Sequence, residues 1–146
     1  MSKLWQGRTQ ANLNKKADAF NSSISFDSRL FKEDIEGSCA HAAMLAAKGI
    51  ITRAEADEIE KGLMSILEDI QSGALEIDMS AEDIHMFVES ELTKRIREAG
   101  KKLHTARSRN DQTATDLRLN LRSETDKIYA SLVGLIDALQ KKASSH

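Results

Sequence analysis

The chain has 146 residues, 40% of them hydrophobic and 30% charged, a balance typical of a globular protein and not of a disordered tail. Proline is absent and aromatic residues make up only 4%, which nearly excludes an all-β fold, because sandwiches and barrels need many turns and favour aromatic side chains. The formal net charge of −2 predicts no general electrostatic attraction to nucleic acid.

The single cysteine, Cys39, has no partner for an internal disulfide, which suits a reducing compartment. Because it falls in an apolar helical stripe, we expect it to pack in the core. The first residues lack the apolar core of a secretory signal, and no stretch approaches the roughly 18 apolar residues of a membrane span. We therefore expect a cytoplasmic protein that does not associate with membranes.

Two helices are predicted in the first half of the chain, from about residue 30 to 48 and from residue 52 to 72. Gly49 and Gly73 follow them as stop signals, and Thr52 with Glu55 has the spacing of a capping box. The short link between the helices predicts an antiparallel hairpin. Apolar residues recur in both at steps of three and four: Phe31, Ile35, Cys39, Ala42 and Ala46, then Ile59, Leu63, Ile66, Leu67 and Ile70.

Two further helices are predicted in the second half. One lies between the cap signal of Ser80 with Asp83 and a stop at Gly100, and its stripe is Ile84, Phe87, Val88, Leu92 and Ile96. The other runs from Asp111 to about Lys142 and would span roughly 48 Å at 1.5 Å per residue. The shorter helices cannot cover its whole stripe, so we expect an oligomer, a further part of the chain, or both. That stripe is Ala114, Leu117, Leu121, Ile128, Leu132, Leu135 and Leu139.

The loop before the last helix, at residues 103–111, holds the densest set of chemically useful side chains. Two guanidiniums, two hydroxyls, an imidazole and a carboxamide stand within eight positions. Asn110 or Asp111 can cap the helix that follows, and the free amides of its first turn add partial positive charge. Because arginine binds carboxylates with two parallel hydrogen bonds, one interpretation is a site for a small anion with carboxylate groups.

The other interpretation of this loop is an ordinary polar connection with a helix cap. RNA binding is disfavoured because the loop has no aromatic side chain on which a base could stack. The sequence also has no H-E-x-x-H, paired C-x-x-C or phosphate-loop motif, so neither a zinc site nor a nucleotide-phosphate loop is predicted.

The segment Thr-Ala-Arg-Ser-Arg-Asn-Asp-Gln at residues 105–112 resembles the T-G-R-S-R-N-D-Q signature of the argininosuccinate lyases, in the fumarase/aspartase superfamily. Three further segments resemble that family in the same order along the chain. They are Leu-Trp-Gln-Gly-Arg at residues 4–8, Phe-Asn-Ser-Ser-Ile at residues 20–24 with Asp27 following, and Glu-Asp-Ile-His at residues 82–85. Ala106 and Gln6 depart from the pattern, since they replace glycines and narrow the backbone conformations available.

The resemblance implies an all-α fold. A short helical N-terminal domain at residues 1–110 would be followed by the first long helix of a central bundle at residues 111–146. It also implies a homotetramer in which each active site collects segments from three subunits. The reaction implied is the elimination of fumarate from argininosuccinate to give arginine, in arginine biosynthesis, with no metal and no organic cofactor.

The signature loop is implied to hold substrate carboxylates through Arg109 and Asn110. Four other residues of the loop would shape it, namely Thr105, Arg107, Ser108 and Asp111. Losing Arg109 or Asn110 should weaken substrate handling roughly tenfold to a hundredfold, because a charge-assisted hydrogen bond contributes about 1.5–3 kcal/mol.

The two other matching segments are implied to supply further substrate contacts. Ser23 would touch the substrate, and the Asp27 carboxylate would face its cationic, arginine-derived part. Asp83 and His85 would line the cleft, although a polar or capping role suits His85 equally well.

The family's acid/base histidine lies in a G-Y-T-H-L-Q block and its catalytic serine on a G-S-S loop, and neither block occurs before the last residue, His146. We therefore expect no catalytic residue and no lyase activity in this chain by itself, as an amino-terminal portion of a longer enzyme. One alternative is a non-catalytic, crystallin-like structural module, which would form a stable oligomer without affinity for argininosuccinate. Another is a sibling lyase that releases fumarate from a different substrate, against which the two arginines of the loop argue.

Overall fold

A computed structural model describes residue 17 and residues 20–145. In these residues the fold is all-α, as predicted, and contains no strand. The helices are α1 (Ile24–Asp27), α2 (Phe31–Ala47), α3 (Arg53–Ser72), α4 (Ile84–Ile96) and α5 (Arg109–Ser144). The opening motif at residues 4–8, with its Gln6 departure, lies outside the described residues.

The hairpin of α2 and α3 forms as the sequence predicts. Gly49 and Gly73 follow the two helices with left-handed φ angles of 70° and 77°. The Thr52 hydroxyl accepts from the Glu55 N–H at 3.2 Å, and the Glu55 carboxylate accepts from the Thr52 N–H at 2.9 Å. This reciprocal pair satisfies two backbone donors that a helix start otherwise leaves free.

The core lies between α2, α3 and α4 and is built largely from the predicted stripes, with Leu45 in addition. Some stripe residues are only partly buried against it, Cys39 among them: Phe31, Cys39, Ala46, Leu67, Ile70 and Ile96. The fully buried side chains of the core include Ile35, Leu45, Ile59, Leu63, Ile66, Ile84 and Leu92. Burying each one fully stabilises the fold by about 1.5–3 kcal/mol relative to leaving it exposed. Helices α3 and α4 pack closely at Gly62, where an added Cβ would lie 2.7 Å from Leu92 Cδ1.

Helix α4 has different ends from those predicted. Asp83 caps it, because its carboxylate accepts from the Met86 N–H at 2.6 Å. Ser80 is not the cap, since its hydroxyl donates to Asp78 at 2.6 Å in the preceding turn. The prediction of a stop at Gly100 is also wrong: α4 ends at Ile96, and Arg97 leaves it with a φ of 52°.

Helix α5 is confirmed as the longest element, with 36 residues and a length of about 54 Å. Its cap differs from the prediction, which favoured Asn110 or Asp111. The Ser108 hydroxyl accepts from the Asn110 N–H at 3.2 Å, and the Asp111 carboxylate accepts from the Ser108 N–H at 2.7 Å. Ser108 caps the helix because only the residue before the first helical turn has the extended backbone that a cap needs.

The beginning of α5 packs on α2, whereas residues 124–145 are exposed on every side. The helices in the described residues therefore leave the stripe uncovered, as expected. The exposed large hydrophobic side chains of α5 are Leu117, Leu121, Ile128, Tyr129, Leu132, Val133, Leu135, Ile136 and Leu139. None of the helices in the described part of the chain combines the length and apolar character needed to cross a bilayer.

Candidate functional site

The signature loop turns the chain between α4 and α5. Leu103 anchors it in the core, and the Thr105 carbonyl contacts His41 Nε2 at 2.9 Å. Ala106 adopts a left-handed φ of 55°, a conformation that favours glycine. The signature that this loop resembles has glycine at this position. Alanine therefore places a Cβ atom where the left-handed backbone disfavours one.

The two arginines of the loop point to different places. Arg107 turns inward and donates to the Ser38 hydroxyl of α2 at 3.0 Å. Arg109 begins α5 and keeps about a third of its side chain exposed. Its guanidinium donates to Gln112 Oε1 at 2.8 Å and lies 3.4 Å from the carboxylate of Asp83. Arg109 thus presents a partly exposed guanidinium whose orientation is fixed by Gln112 and Asp83.

Asn110 follows Arg109 in the first turn of α5 and is exposed. Its side chain stands beside the helix N-terminus, where free N–H groups and the helix dipole favour an anion. Glu89 from α4 also approaches the Arg109 guanidinium, at 3.7 Å. An incoming carboxylate would therefore compete with carboxylates of this chain for the guanidinium.

Ser23 and Asp27 meet the start of α4 from a distant part of the sequence. The Ser23 hydroxyl donates to Asp27 Oδ2 at 2.5 Å, and Asp27 Oδ1 accepts from the Ile84 N–H at 3.1 Å. Asp27 is buried and both of its oxygens are bonded within the chain. The structure thus brings Ser23, Asp27 and Asp83 together around one helix end, with Asp83 also facing Arg109.

His85 lies in the first turn of α4, two residues after Asp83, and points into the interior. Its Nδ1 is 2.9 Å from Asp34 Oδ1 and 3.2 Å from Asp116 Oδ2. Its Nε2 is 3.2 Å from the hydroxyl of Thr113, an exposed residue of α5. Only 2% of the His85 side chain is exposed, so in this chain it faces other residues and not an open cleft.

Burial and neighbouring charges shift the acid–base behaviour of this cluster. Burial, together with the negative charge of Asp34, raises the pKa of Asp116 to about 7. Burial by itself lowers the pKa of His85, but the hydrogen bond and charge of Asp34 outweigh it, with help from Asp83 and Asp116, so that this pKa is raised overall. The cluster therefore holds protons more tightly than its separate groups would.

Hydrogen-bond donors in the cluster assign the charge of His85. The Thr113 hydroxyl donates its one proton to the Arg109 carbonyl at 2.9 Å, so towards His85 it can only accept. A carboxylate can also only accept, so Nδ1 donates to Asp34, and with the Thr113 proton on the Arg109 carbonyl Nε2 donates as well. This assignment makes His85 an imidazolium beside the Asp34 carboxylate, with Asp116, whose pKa burial raises to about 7, as a second neighbour that titrates near neutral pH.

This triad also has the donor set of a cation site. One ligand atom from each of Asp34, His85 and Asp116 lies within 4.8 Å of the others. A metal ion would need a ring nitrogen without a proton, which the contacts above do not leave. As it stands, the triad is better suited to hold a proton than a metal.

Sequence reasoning did not single out the buried polar residues that support the loop. They are Asp34 and Ser38 on α2 and Gln112 and Asp116 on α5. A signal was available, because both Asp34/Ser38 and Gln112/Asp116 are polar pairs four residues apart and so share a helix face. Two such faces are typical of helices joined by a polar layer.

A lyase family model matches residues 7–146, and the chain belongs to that lyase family. Among curated proteins, it is 56% identical over 144 residues to the argininosuccinate lyase of Moorella thermoacetica. It is 53% identical to the argininosuccinate lyase of Desulforamulus reducens and 51% identical to that of Heliobacterium mobile. Each match covers 99% of this chain but only 31% of the relative, so the chain spans about a third of the length of these enzymes.

Proposed function

We propose that this chain supplies part of an argininosuccinate lyase, which eliminates fumarate from argininosuccinate to give arginine. The observation that carries the proposal is the loop of residues 105–112, which puts Arg109 and Asn110 in the first turn of a 36-residue helix. The identity of 50–56% to several argininosuccinate lyases over nearly the whole chain supports it.

In this proposal Arg109 and Asn110 bind a carboxylate of the substrate. The exposed guanidinium of Arg109 is already braced by Gln112, so little side-chain freedom is lost when an anion binds. Thr105, Arg107, Ser108 and Asp111 give the loop its shape, Ser108 and Asp111 by capping α5. These roles reduce the cost of ordering the site around the substrate.

Ser23, Asp27 and Asp83 form the second proposed contact region, around the start of α4. Because both oxygens of Asp27 already accept hydrogen bonds, a substrate cation would have to share them with Ser23 and the Ile84 amide. His85 contributes positive charge from behind Thr113. The chain itself supplies no proton-transfer residue in this proposal, since each assigned group binds or orients.

The larger assembly belongs to the same proposal. A homotetramer would cover the exposed stripe of α5, and a cytoplasmic location suits a chain with one cysteine. We also propose the division into residues 1–110 and 111–146. It places the boundary close to the start of α5, the 36-residue helix whose residues 124–145 are exposed.

A chimera tests the proposed function. This chain is joined to the part of the Moorella enzyme that it does not cover, and fumarate release from argininosuccinate is followed by ultraviolet absorbance. We expect activity from the chimera and none from either part alone, because proton transfer by a placed side chain is typically worth 10²–10⁴-fold.

The control variant is Arg109→Lys in the same chimera, which keeps the charge but removes the two parallel donors. We expect its kcat/KM to fall at least tenfold. A folded, tetrameric chimera without activity would contradict the proposal. Activity only on another fumarate-releasing substrate would favour the sibling lyase.

A further inference from the structure

Asp34, a buried residue that the resemblance does not assign, connects two residues of the proposed site, His85 and Arg109. Its Oδ1 accepts from His85 Nδ1 at 2.9 Å and from Gln112 Nε2 at 2.5 Å. The other end of the Gln112 amide, Oε1, accepts from Arg109 Nη1 at 2.8 Å. Asp34 Oδ1 therefore accepts a direct hydrogen bond from His85, and it is linked to Arg109 through the side-chain amide of Gln112. We call this second connection the relay.

The relay to Arg109 has only one possible direction. A carboxylate can only accept hydrogen bonds and a guanidinium can only donate them, so the NH₂ of Gln112 must face Asp34 and its carbonyl must face Arg109. Turning the amide over would break both hydrogen bonds at once. Gln112 is only 4% exposed, so water has little access to replace them.

The contact to His85 is fixed from three helices. Asp34 reaches it from α2 and Asp116 and Thr113 from α5, while Asp83 caps the helix α4 on which His85 lies. Asp34 Oδ2 and both oxygens of Asp116 accept no hydrogen bond from the described residues. The strongest hydrogen bond that holds the imidazolium is thus the one from Nδ1 to Asp34 Oδ1.

We propose that Asp34 is a positioning residue that orients both the His85 imidazolium and the Arg109 guanidinium for binding of a substrate carboxylate. The inference rests on the proposed function, because it takes Arg109 to be a substrate contact. Asp34 itself is only 1% exposed, so in this inference it acts through Gln112 and His85 and not by contact with substrate.

Nuclear magnetic resonance of the 146-residue chain tests the geometry without reference to catalysis. In the unaltered chain we expect the ¹⁵N shifts of His85 to report two protonated nitrogens at neutral pH, and the Arg109 guanidinium to show separate, slowly rotating Nη signals. Asp34→Asn should lower the pKa of His85, because the charge is lost, and should speed the exchange of the Arg109 Nη signals, because a neutral amide oxygen holds the Gln112 NH₂ more weakly than a carboxylate does. Gln112→Leu should free only Arg109 and leave His85 protonated.

The matched control is Glu33→Gln, the same change of a carboxylate to an amide one position away. Glu33 is also buried, but it accepts from Asn120 Nδ2 at 3.2 Å and takes no part in the relay. We expect it to leave both signals unchanged. Circular dichroism compares the helicity of all three variants with that of the parent. If Asp34→Asn has lost helicity, Asp34→Ser takes its place, because its smaller side chain also carries no charge.

Kinetics of the chimera test the consequence for substrate. Asp34→Asn should raise KM for argininosuccinate about tenfold or more, with a smaller effect on kcat, whereas Glu33→Gln should change KM by less than twofold. Unchanged His85 and Arg109 signals in Asp34→Asn, or an unchanged KM, would overturn the inference.

Two other outcomes are distinguishable from these. An inactive unaltered chimera would refute the proposed function, and with it the role of Asp34 toward substrate. Stoichiometric binding of Zn²⁺ to the unaltered chain, lost in Asp34→Asn, would make the triad a metal site and overturn the assignment of His85 as an imidazolium.

Discussion

Replacing Ala106 by glycine tests the backbone shape of the signature loop with one substitution. Ala106 has a φ of 55°, in the left-handed region, and it is exposed. A residue with a Cβ pays roughly 1–2 kcal/mol for this conformation, whereas glycine adds about 0.5–1 kcal/mol of backbone entropy to be lost on folding. The difference predicts that Ala106→Gly raises the free energy of unfolding by about 0.5–1 kcal/mol.

Urea unfolding followed by circular dichroism measures this change. With a slope of about 1–3 kcal/mol/M, the midpoint should rise by roughly 0.2–1 M while the slope stays constant. Ala43→Gly is the matched control, because Ala43 is exposed inside α2 and glycine there should cost about 0.5–1 kcal/mol. If both variants were destabilised alike, residue 106 would not have the left-handed backbone, and the reasoning would be refuted.

Three further substitutions have expected outcomes that unfolding measurements check. Gly62→Ala should cost about 0.5–2 kcal/mol net, because the contact of its Cβ with Leu92 Cδ1 at 2.7 Å outweighs the helix propensity that alanine gains; a variant stabilised by the full propensity gain would show that Leu92 moves aside without cost. Thr52→Ala should cost about 1 kcal/mol through loss of the cap to Glu55, and a neutral result would contradict the capping box. The third is Asp116→Asn. Burial raises the pKa of Asp116 from 3.8 to about 7, so the unfolded chain releases this proton first and the stability of the parent falls as pH rises from about 4 to 7. Asp116→Asn has no carboxyl to titrate, so its stability should not show this fall. Its free energy of unfolding relative to the parent should therefore increase from about pH 4 to pH 7, and parallel pH curves would refute the raised pKa of Asp116.

Local signals were sufficient to predict most of the fold. The hairpin of α2 and α3 follows from two glycines and a capping box, all within a few residues of the helix ends they define. The length of α5 follows from apolar residues that repeat at helical spacing over the whole segment, with no proline to interrupt it. The start of α4 was misassigned because Ser80 and Asp83 both have cap chemistry, and only the competing turn with Asp78 decides between them.

The polar layer beneath the loop could not be predicted in the same way. Its contacts join residues far apart in sequence, 51 positions for His85 with Asp34 and 78 for Gln112 with Asp34. Periodicity assigns polar residues to the solvent side of a helix, so it places Asp34 and Asp116 outside the core. Which polar face is buried depends on how α5 crosses α2, and this crossing is a property of the tertiary structure.

The continuous backbone of α5 makes it a lever between its two ends. Arg109 and Asn110 lie at one end, and the other end is about 54 Å away with no proline between them. A tilt of about 2° at the packed end would displace the far end by roughly 2 Å over this length. A partner that contacts the last turns of α5 would therefore also fix, to within a few degrees, the direction in which the backbone amides of the first turn point.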